Sequence, residues 1–181
     1  MNSFFSQEEL ESIGFKTIGS SVLISRNAMF YGVDKISIGD HVRIDDFCIL
    51  SGNITLGSHI HISAYCALYG SYGIEMDDYT GLSPRCSVFS ATDDFSGDYL
   101  ISPMVDKAQF NVTGGKVVIR KYSQVGAGCV ILPDLTIEEG VAVGAMSLVN
   151  RTLPEWSICA GVPVKRIKER RNGLLKLLKD E

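Results

Sequence analysis

The chain has 181 residues, of which 45% are hydrophobic and 21% charged, as expected for one soluble globular domain. A net charge of -4 and a pI near 5.4 argue against a nucleic-acid-binding protein. Five cysteines without a Cys-x-x-Cys pair favour the reducing cytoplasm over a disulfide scaffold, and we expect neither a signal peptide nor a membrane span.

The first predicted element is a short helix over residues 6–13. The sequence Ser6-Gln7-Glu8-Glu9 places a serine three residues before a glutamate, which is the pattern of a capping box. Such a box satisfies two backbone amides at a helix amino terminus, so we expect the helix to begin here.

Residues 16–163 carry a repeat in which an apolar residue returns at every sixth position, with short insertions and one long gap. Six matches neither the helix period of 3.6 nor the strand period of 2. Three units of six would form one coil of 18 residues, and stacked coils would form parallel strands about 4.8 Å apart around a core of inward apolar side chains. The phased residues are Ile18, Ile24, Phe30, Ile38, Ile44, Leu50, Leu56, Ile62, Leu68, Met76, Leu82, Val88, Ile119, Val125, Ile131, Ile137, Val143 and Val149.

This phase assigns every third unit to the same face of the predicted solenoid. On the second face, the residue four positions after each apolar residue is always small, which predicts an inward column at a tight corner. A metal site or a redox relay is the alternative interpretation of its cysteines. The column comprises Ala28, Cys48, Cys66, Cys86, Cys129 and Ser147.

The repeat stops between residues 93 and 116, and we predict a long loop there. A long loop that leaves a regular scaffold is more often functional than decorative. After the repeat, residues 164–180 have the composition of a basic carboxyl-terminal helix. We expect the leucines of this helix to dock it on the solenoid or on a neighbouring chain.

The repeat resembles that of the hexapeptide-repeat acyltransferases. The units "VGAGCV", "IGDHVR", "LGSHIH" and "VGAMSL" fit the pattern of that family. The resemblance implies an all-β fold, a left-handed parallel β-helix of about six 18-residue coils. It also implies an acyl-CoA co-substrate, no metal, and a homotrimer with active sites between neighbouring protomers.

One residue at the start of the loop departs from the O-acetyltransferase branch of that family. The branch has a catalytic histidine in a motif similar to Ala-Thr-His, whereas this chain has Ala91-Thr92-Asp93. A hydroxyl must lose its proton as it attacks, and an imidazole with a pKa of about 6.5 suits that task better than a carboxylate with a pKa of about 4. An amine attacks through its lone pair and needs a carboxylate only for orientation and charge stabilisation. The aspartate therefore favours an amine acceptor.

A narrower resemblance rests on "RIDDFCILSG", "ALYG", "SATDDFSG" and "VAVGAMSLV". These stretches are similar to N-acyltransferases that act on nucleotide-linked 4-amino-4,6-dideoxy sugars. The resemblance implies that Asp93 and Ser83 are catalytic, with Ser83 donating to the oxyanion. It implies transfer of an acyl group from acetyl-CoA or a longer acyl-CoA to the sugar amine, with Asp94 as a second carboxylate for the substrate.

The family also implies a groove for coenzyme A near the last coils. Small residues there would let the pantetheine arm approach the backbone, and two cationic side chains would pair with phosphates. The candidates are Gly126, Gly144, Ala145, Ala160, Lys165 and Arg166.

The chain has three histidines, and all of them lie within the repeat. His41 and His59 occupy the same position in units 18 residues apart, so we expect them to stack on adjacent coils. His59, His61 and Arg85 are candidates for contact with the sugar or nucleotide, and a solvated or interface position is the alternative for the histidines.

Three other functions stay open at this point. The chain could be an O-acetyltransferase of sugars or xenobiotics that uses His59 or His61 as the base. It could be a zinc enzyme of the γ-carbonic-anhydrase type, although its histidine spacings of 18 and 2 do not resemble that family's. It could also be a non-catalytic scaffold.

Overall fold

A computed structural model describes residues 3–178 of the chain. The first helix, α1, spans Gln7–Ile13. The Ser6 hydroxyl accepts a hydrogen bond from the Glu9 amide at 3.3 Å, and the Glu9 carboxylate accepts one from the Ser6 amide at 2.7 Å. These reciprocal bonds confirm the predicted capping box. None of the helices within residues 3–178 has the length and apolarity needed to cross a bilayer.

The rest of the described chain is a parallel β-solenoid with two short 3₁₀ helices, η1 at Val33–Lys35 and η2 at Gly173–Lys176. Its strands are β1 Thr17–Ile18, β2 Leu23–Ile24, β3 Met29–Tyr31, β4 Ile36–Ile38, β5 Arg43–Ile44, β6 Ile49–Leu56, β7 His61–Ile62, β8 Ala67–Met76, β9 Gly81–Leu82, β10 Ser87–Phe89, β11 Ala91–Asp93, β12 Val112–Gly114, β13 Val117–Ile119, β14 Gln124–Val125, β15 Val130–Ile131, β16 Leu135–Ile137, β17 Ala142–Val143, β18 Leu148–Val149, β19 Ser157–Ala160 and β20 Lys165–Glu169.

The strands stack as three faces, in the register that the sequence predicts. Face 1 contains β1, β4, β13, β16 and the carboxyl ends of β6 and β8; face 2 contains β2, β5, β7, β9, β14, β17 and β19; face 3 contains β3, β10, β15, β18 and the amino ends of β6 and β8. Phased residues pair directly, for example Ile44 with Ile62 and Val88 with Ile131. Beyond the six predicted coils, Leu153 pairs with Ile137 and Cys159 with Val143, which adds a partial seventh coil.

The core lies inside this stack, because the phased side chains point inward. All of them are buried except Ile18 and Phe30, which are partly buried near the amino-terminal end. Glycine after a phased residue allows the coils to approach closely: a Cβ at Gly19 would lie 2.5 Å from the Gly39 carbonyl carbon. Any larger residue there would push adjacent coils apart.

The predicted column of small residues is confirmed, and all of its members are buried. Its thiols donate to backbone carbonyls of the adjacent coil. The Cys66 Sγ atom lies 3.2 Å from the Ser83 oxygen, and the Cys129 Sγ atom lies 3.1 Å from the Gly144 oxygen. The thiols therefore fill the corner and connect neighbouring coils.

The long loop leaves the solenoid where predicted, at the corner between faces 3 and 1. Strands β11 and β12 pair antiparallel, so the irregular segment is 94–111, shorter than the predicted 93–116. Two glycines allow its return: a Cβ at Gly114 would lie 2.3 Å from the Ser90 oxygen, and one at Gly115 would lie 2.4 Å from Asp134 Oδ1.

The prediction of a carboxyl-terminal helix over 164–180 is wrong for the described residues. Lys165–Glu169 instead form β20, which pairs antiparallel with β19 and is followed by η2. The last coil exposes unpaired backbone groups along its edge, and a returning strand satisfies them. This pairing outweighs the helix propensity of the segment, and residues 179 and 180 of the predicted helix lie outside the described range.

Candidate active site

A cavity of about 740 Å³ lies along face 2. Its wall is the corner between faces 1 and 2, its floor is formed by outward residues of face 2, and its cover is the segment after β20. The lining residues are His41, Arg43, His59, Ile60, His61, Ser63, Tyr79, Thr80, Gly81, Leu82, Ser83, Tyr122, Ser123, Gln124, Arg170, Leu174, Leu177 and Leu178.

The wall is a continuous stack of rings that we call the aromatic ladder: His41, His59, Tyr79, Tyr122 and Trp156. Successive ring centroids are 4.8, 4.5, 5.7 and 6.3 Å apart. Each ring belongs to a corner residue with positive φ, between 47° and 62°. The stacking of His41 on His59 confirms the prediction. The tyrosines and the tryptophan were missed, although they too stand three residues after apolar residues of face 1.

Ser83 lies in the floor with its backbone held from both sides. Its amide donates to the Val125 oxygen at 2.9 Å, and its carbonyl accepts from the Cys66 thiol at 3.2 Å. Among residues 3–178 the Ser83 hydroxyl has no hydrogen-bond partner, and it borders the cavity. A fixed backbone with an unengaged hydroxyl suits the donation of a hydrogen bond to a developing negative charge.

Two further floor residues, Arg43 and His61, share one carboxylate. Asp45 Oδ1 lies 2.7 Å from Arg43 Nε, and Asp45 Oδ2 lies 2.8 Å from His61 Nε2. Partial burial opposes ionisation of Asp45, but the hydrogen bonds from Arg43 and His61 leave its pKa below the usual range. Asp45 therefore fixes the orientation of both side chains. Arg43 and Asp45 were not predicted as site residues, although the repeat places Arg43 beside His61 on the adjacent coil.

Arg170 anchors the cover of the cavity. Its Nη1 atom donates to the Tyr122 oxygen at 2.8 Å and to the Gly140 oxygen at 3.0 Å, and burial lowers the pKa of its guanidinium. Leu174, Leu177 and Leu178 then lie over the floor. Leu174 and Leu178 are partly buried, which agrees with the predicted docking of the carboxyl-terminal leucines, whereas Leu177 is 75% exposed. These residues lie in or directly after η2 and not in a long helix.

Asp93 lies at the end of β11, outside this cavity, and its side chain is exposed. It has no side-chain hydrogen bond within residues 3–178. Its neighbour Asp94 accepts hydrogen bonds from the Ser96 amide at 2.7 Å and from Asn111 Nδ2 at 2.8 Å. The contacts with Ser96, and then with Asn111, lower the pKa of Asp94. Asp94 therefore closes the loop, whereas Asp93 is available to a ligand.

One chain does not bring Ser83 and Asp93 together. Ser83 is on face 2, whereas Asp93 lies at the corner where faces 3 and 1 meet. Face 2 does not border that corner. Arg85 is at the third corner, where its guanidinium lies 5.9 Å from the Tyr65 ring centroid. Of the predicted substrate contacts, only His59 and His61 share the cavity with Ser83.

The predicted coenzyme A contacts lie toward the last coils. A Cβ at Gly126 would lie 2.6 Å from the Ala145 amide nitrogen, and one at Gly144 would lie 2.8 Å from the Ala160 Cβ. Close packing between coils therefore already requires glycine at both positions, whether or not they contact coenzyme A. Lys165 and Arg166 are exposed on β20, and Arg166 borders a second cavity of about 490 Å³. Within residues 3–178, no group of three histidine, cysteine or carboxylate side chains is placed to hold a metal ion.

No protein-family profile matches the chain. The chain is 39% identical over 178 residues to a dTDP-4-amino-4,6-dideoxy-D-glucose acyltransferase of Escherichia coli, which covers 97% of this chain and 93% of the relative. It is 51% identical to AntD, an N-acyltransferase from Bacillus cereus, whose structure with dTDP and 3-hydroxybutyryl-CoA superposes with a TM-score of 0.96 over 99% of this chain and 96% of AntD.

A further AntD structure, in which a serine is replaced by alanine, contains dTDP-4-amino-4,6-dideoxyglucose and coenzyme A and gives a TM-score of 0.97 over 99% of this chain and 97% of AntD. Others carry replacements of an aspartate ten positions after that serine. A maltose O-acetyltransferase from Clostridium difficile, 20% identical, shares the fold with a TM-score of 0.58 over 92% of this chain and 75% of its own.

Proposed function

The chain belongs to the dTDP-4-amino-4,6-dideoxy-D-glucose acyltransferase family, and from that premise we propose that it acylates the 4-amino group of this sugar nucleotide. It is a CoA-dependent acyltransferase whose acceptor is the amine of a nucleotide-linked sugar. The observation that carries the assignment is the 39% identity over nearly the whole chain. The expected amine acceptor, which rested on Asp93, agrees with it.

The reaction is a direct transfer without an acyl-enzyme. The sugar nitrogen attacks the thioester carbonyl carbon, and the carbonyl oxygen becomes an oxyanion. The tetrahedral intermediate then collapses with cleavage of the carbon–sulfur bond. The proton that the nitrogen loses passes to the departing thiolate, so the products are the amide and the thiol form of coenzyme A. The protein must therefore hold the amine, stabilise the oxyanion and accept positive charge developing on nitrogen.

We assign these tasks to two residues. Ser83 donates its hydroxyl to the oxyanion, and Asp93 accepts a hydrogen bond from the amine and stabilises its positive charge. The spacing supports this pair, because Asp93 follows Ser83 by ten positions, as the replaced aspartate follows the replaced serine in AntD.

Because Ser83 and Asp93 lie apart in one chain, the site needs two protomers. We propose a homotrimer in which Ser83 of one protomer faces Asp93 of the next. Exposed apolar side chains support such a contact, since large apolar patches usually mark interfaces. They occur on face 3, at the corner between faces 2 and 3, and on the loop: Met29, Tyr31, Phe47, Tyr65, Met146, Phe95 and Met104.

Coenzyme A is placed along the last coils. Gly126, Gly144, Ala145 and Ala160 leave room for the pantetheine arm beside the backbone, and Lys165 and Arg166 are available to its phosphates. The five buried free cysteines agree with the reducing cytoplasm, where we expect the enzyme to meet both substrates.

Release of free thiol from acyl-CoA tests this function. Purified enzyme with acetyl-CoA or 3-hydroxybutyryl-CoA should release thiol only when dTDP-4-amino-4,6-dideoxyglucose is added. Thiol release that does not respond to the amino sugar, or none with either donor, would contradict the proposal.

A further inference from the structure

Gly81 is a glycine inside a strand for which the described chain gives no structural reason. Its φ is not in the left-handed region, and a Cβ there would meet only the His61 oxygen, at an ordinary distance of 3.6 Å. The other strand glycines of residues 3–178 either have a positive φ, as at Gly52 and Gly73, or would place a Cβ 2.6 and 2.3 Å from backbone oxygens, as at Gly70 and Gly114. A glycine inside a strand weakens the strand, and it often marks a place that a ligand approaches closely.

The missing side chain leaves a depression in the floor beside Ser83, which we call the notch. Gly81 and Ser83 are two residues apart, so they face the same side of strand β9, about 6.6 Å from each other. Gly81 pairs with His61 on the preceding coil and with Gln124 on the following coil, and both of these side chains are exposed. The notch is therefore bounded by Ser83, His61, Gln124 and the ring of Tyr79, all of which line the cavity.

The cavity extends from Ser83 toward the notch and not in the opposite direction along the chain. Thr80 and Tyr79, on the side of Gly81, line it, whereas Pro84 and Arg85, which follow Ser83, do not. A group held at Ser83 therefore has room over Gly81.

The tetrahedral intermediate directs one of its substituents into this space. Its central carbon carries the oxyanion, the sugar nitrogen, the sulfur and the acyl chain. In the proposed site the oxyanion faces Ser83, the sulfur lies toward the last coils with the pantetheine arm, and the nitrogen lies toward Asp93 of the next protomer. The acyl chain is the fourth substituent, and the notch is the space left for it.

The size and the polarity of the notch suit an acyl chain longer than acetyl. A four-carbon chain has three carbon–carbon bonds of about 1.5 Å each, so it reaches about 4 Å from the carbonyl carbon and ends over Gly81. The partly buried Leu174 and Leu178 cover the cavity with apolar side chains. The side-chain amide of Gln124 has no hydrogen-bond partner within residues 3–178, so it is free to bond a polar group on the chain.

We propose that Gly81 determines the length of the acyl chain that the enzyme transfers, because it leaves the notch open to a chain of about four carbons. The inference rests on the proposed function and adds the residue that selects the donor. The sugar ring is the competing occupant of the notch, so the experiment has to separate the two.

Steady-state kinetics with acetyl-CoA and butyryl-CoA test this selection. The wild-type enzyme should use both donors, with a kcat/KM for butyryl-CoA at least equal to that for acetyl-CoA. Gly81→Val should lower kcat/KM for butyryl-CoA by about 10- to 100-fold and that for acetyl-CoA by about threefold at most, because the added side chain fills the space of the longer chain. Gly81→Ala should give a smaller change in the same direction.

The matched control is Ala142→Val, at the same outward position two coils further on and outside the cavity. It should keep the wild-type ratio of the two donors.

An equal loss with both donors in Gly81→Ala, whose Cβ has room in the fold, would overturn the inference. A wild-type enzyme that rejects butyryl-CoA would also overturn it. So would a higher KM for the amino-sugar nucleotide with an unchanged ratio of the two donors, because the notch would then hold the sugar. These results leave acylation by the wild type with acetyl-CoA intact, whereas failure of the proposed function would abolish acylation with either donor.

Discussion

Adjacent aspartates at the start of the loop have different environments, and this difference supports the roles that we propose for them. Both oxygens of Asp94 accept hydrogen bonds from within the loop, whereas Asp93 has no such contact in residues 3–178. The sequence already favoured Asp93, which stands where the O-acetyltransferase branch has its histidine, and the geometry agrees with that choice.

Asp93→Asn should lower kcat by about 10²-fold or more, because the amide cannot stabilise positive charge on the attacking nitrogen. Steady-state kinetics with the amino-sugar nucleotide measure this change. The variant should keep its affinity for coenzyme A, since Asp93 does not contact the donor in this account. A kcat within a few-fold of wild type would remove Asp93 from the mechanism.

At the scale of elements, the loop and the last strand depend on contacts that the six-residue repeat does not encode. By contrast, α1 could be predicted because the capping box is a pattern of four consecutive residues. β20 was mistaken for a helix because its pairing with β19 depends on an open edge that exists only once the solenoid is formed. The cavity cover could not be predicted for the same reason. The repeat places Arg43 beside His61, but it does not specify the side-chain conformations that bring both to Asp45.

Asp94→Ala should loosen the loop over 94–111 without unfolding the solenoid, because it removes the acceptor for Ser96 and Asn111. Amide hydrogen exchange at neutral pH should become faster in the loop and stay unchanged in the core strands. Asp93→Asn is the matched control and should show the wild-type pattern. Equal loop protection in Asp94→Ala and wild type would contradict the loop-closing role.

At the scale of the whole molecule, the six-residue period determined almost the entire fold. It predicted which residues pair across coils and which cysteines line one corner, because coil level and face both follow from position in the repeat. The proposed meeting of Ser83 with Asp93 does not follow from it, since it would require a second chain.

The cysteine column gives a stability prediction. Cys66→Val places a branched side chain in a filled corner and removes the hydrogen bond to Ser83, so the free energy of unfolding should fall by about 1–3 kcal/mol. Denaturant titration of the assembled protein measures it. Ser37→Val, at an outward position of face 1, should change stability by about 0.5 kcal/mol or less. A similar loss at both positions would contradict tight packing of the column.

The composite site predicts complementation between two inactive variants. Ser83→Ala should reduce the rate by about 10²–10³-fold. If subunits of Ser83→Ala and Asp93→Asn are dissociated and reassembled in equal amounts, about three quarters of the trimers are mixed, and each mixed trimer has one intact site. Activity should return to about a quarter of wild type. No recovery beyond the sum of the two variants would show that both residues act within one protomer.

The most direct test compares two acceptors that differ only in the nucleophile. With acetyl-CoA, the enzyme should convert dTDP-4-amino-4,6-dideoxyglucose to a product heavier by one acetyl group, and fragmentation should place that group on the nitrogen. The matching dTDP-6-deoxyglucose, with a hydroxyl in place of the amine, should stay unmodified. Acetylation of the hydroxyl sugar at a comparable rate, or no change in mass of the amino sugar, would contradict an N-acyltransferase that works through a carboxylate.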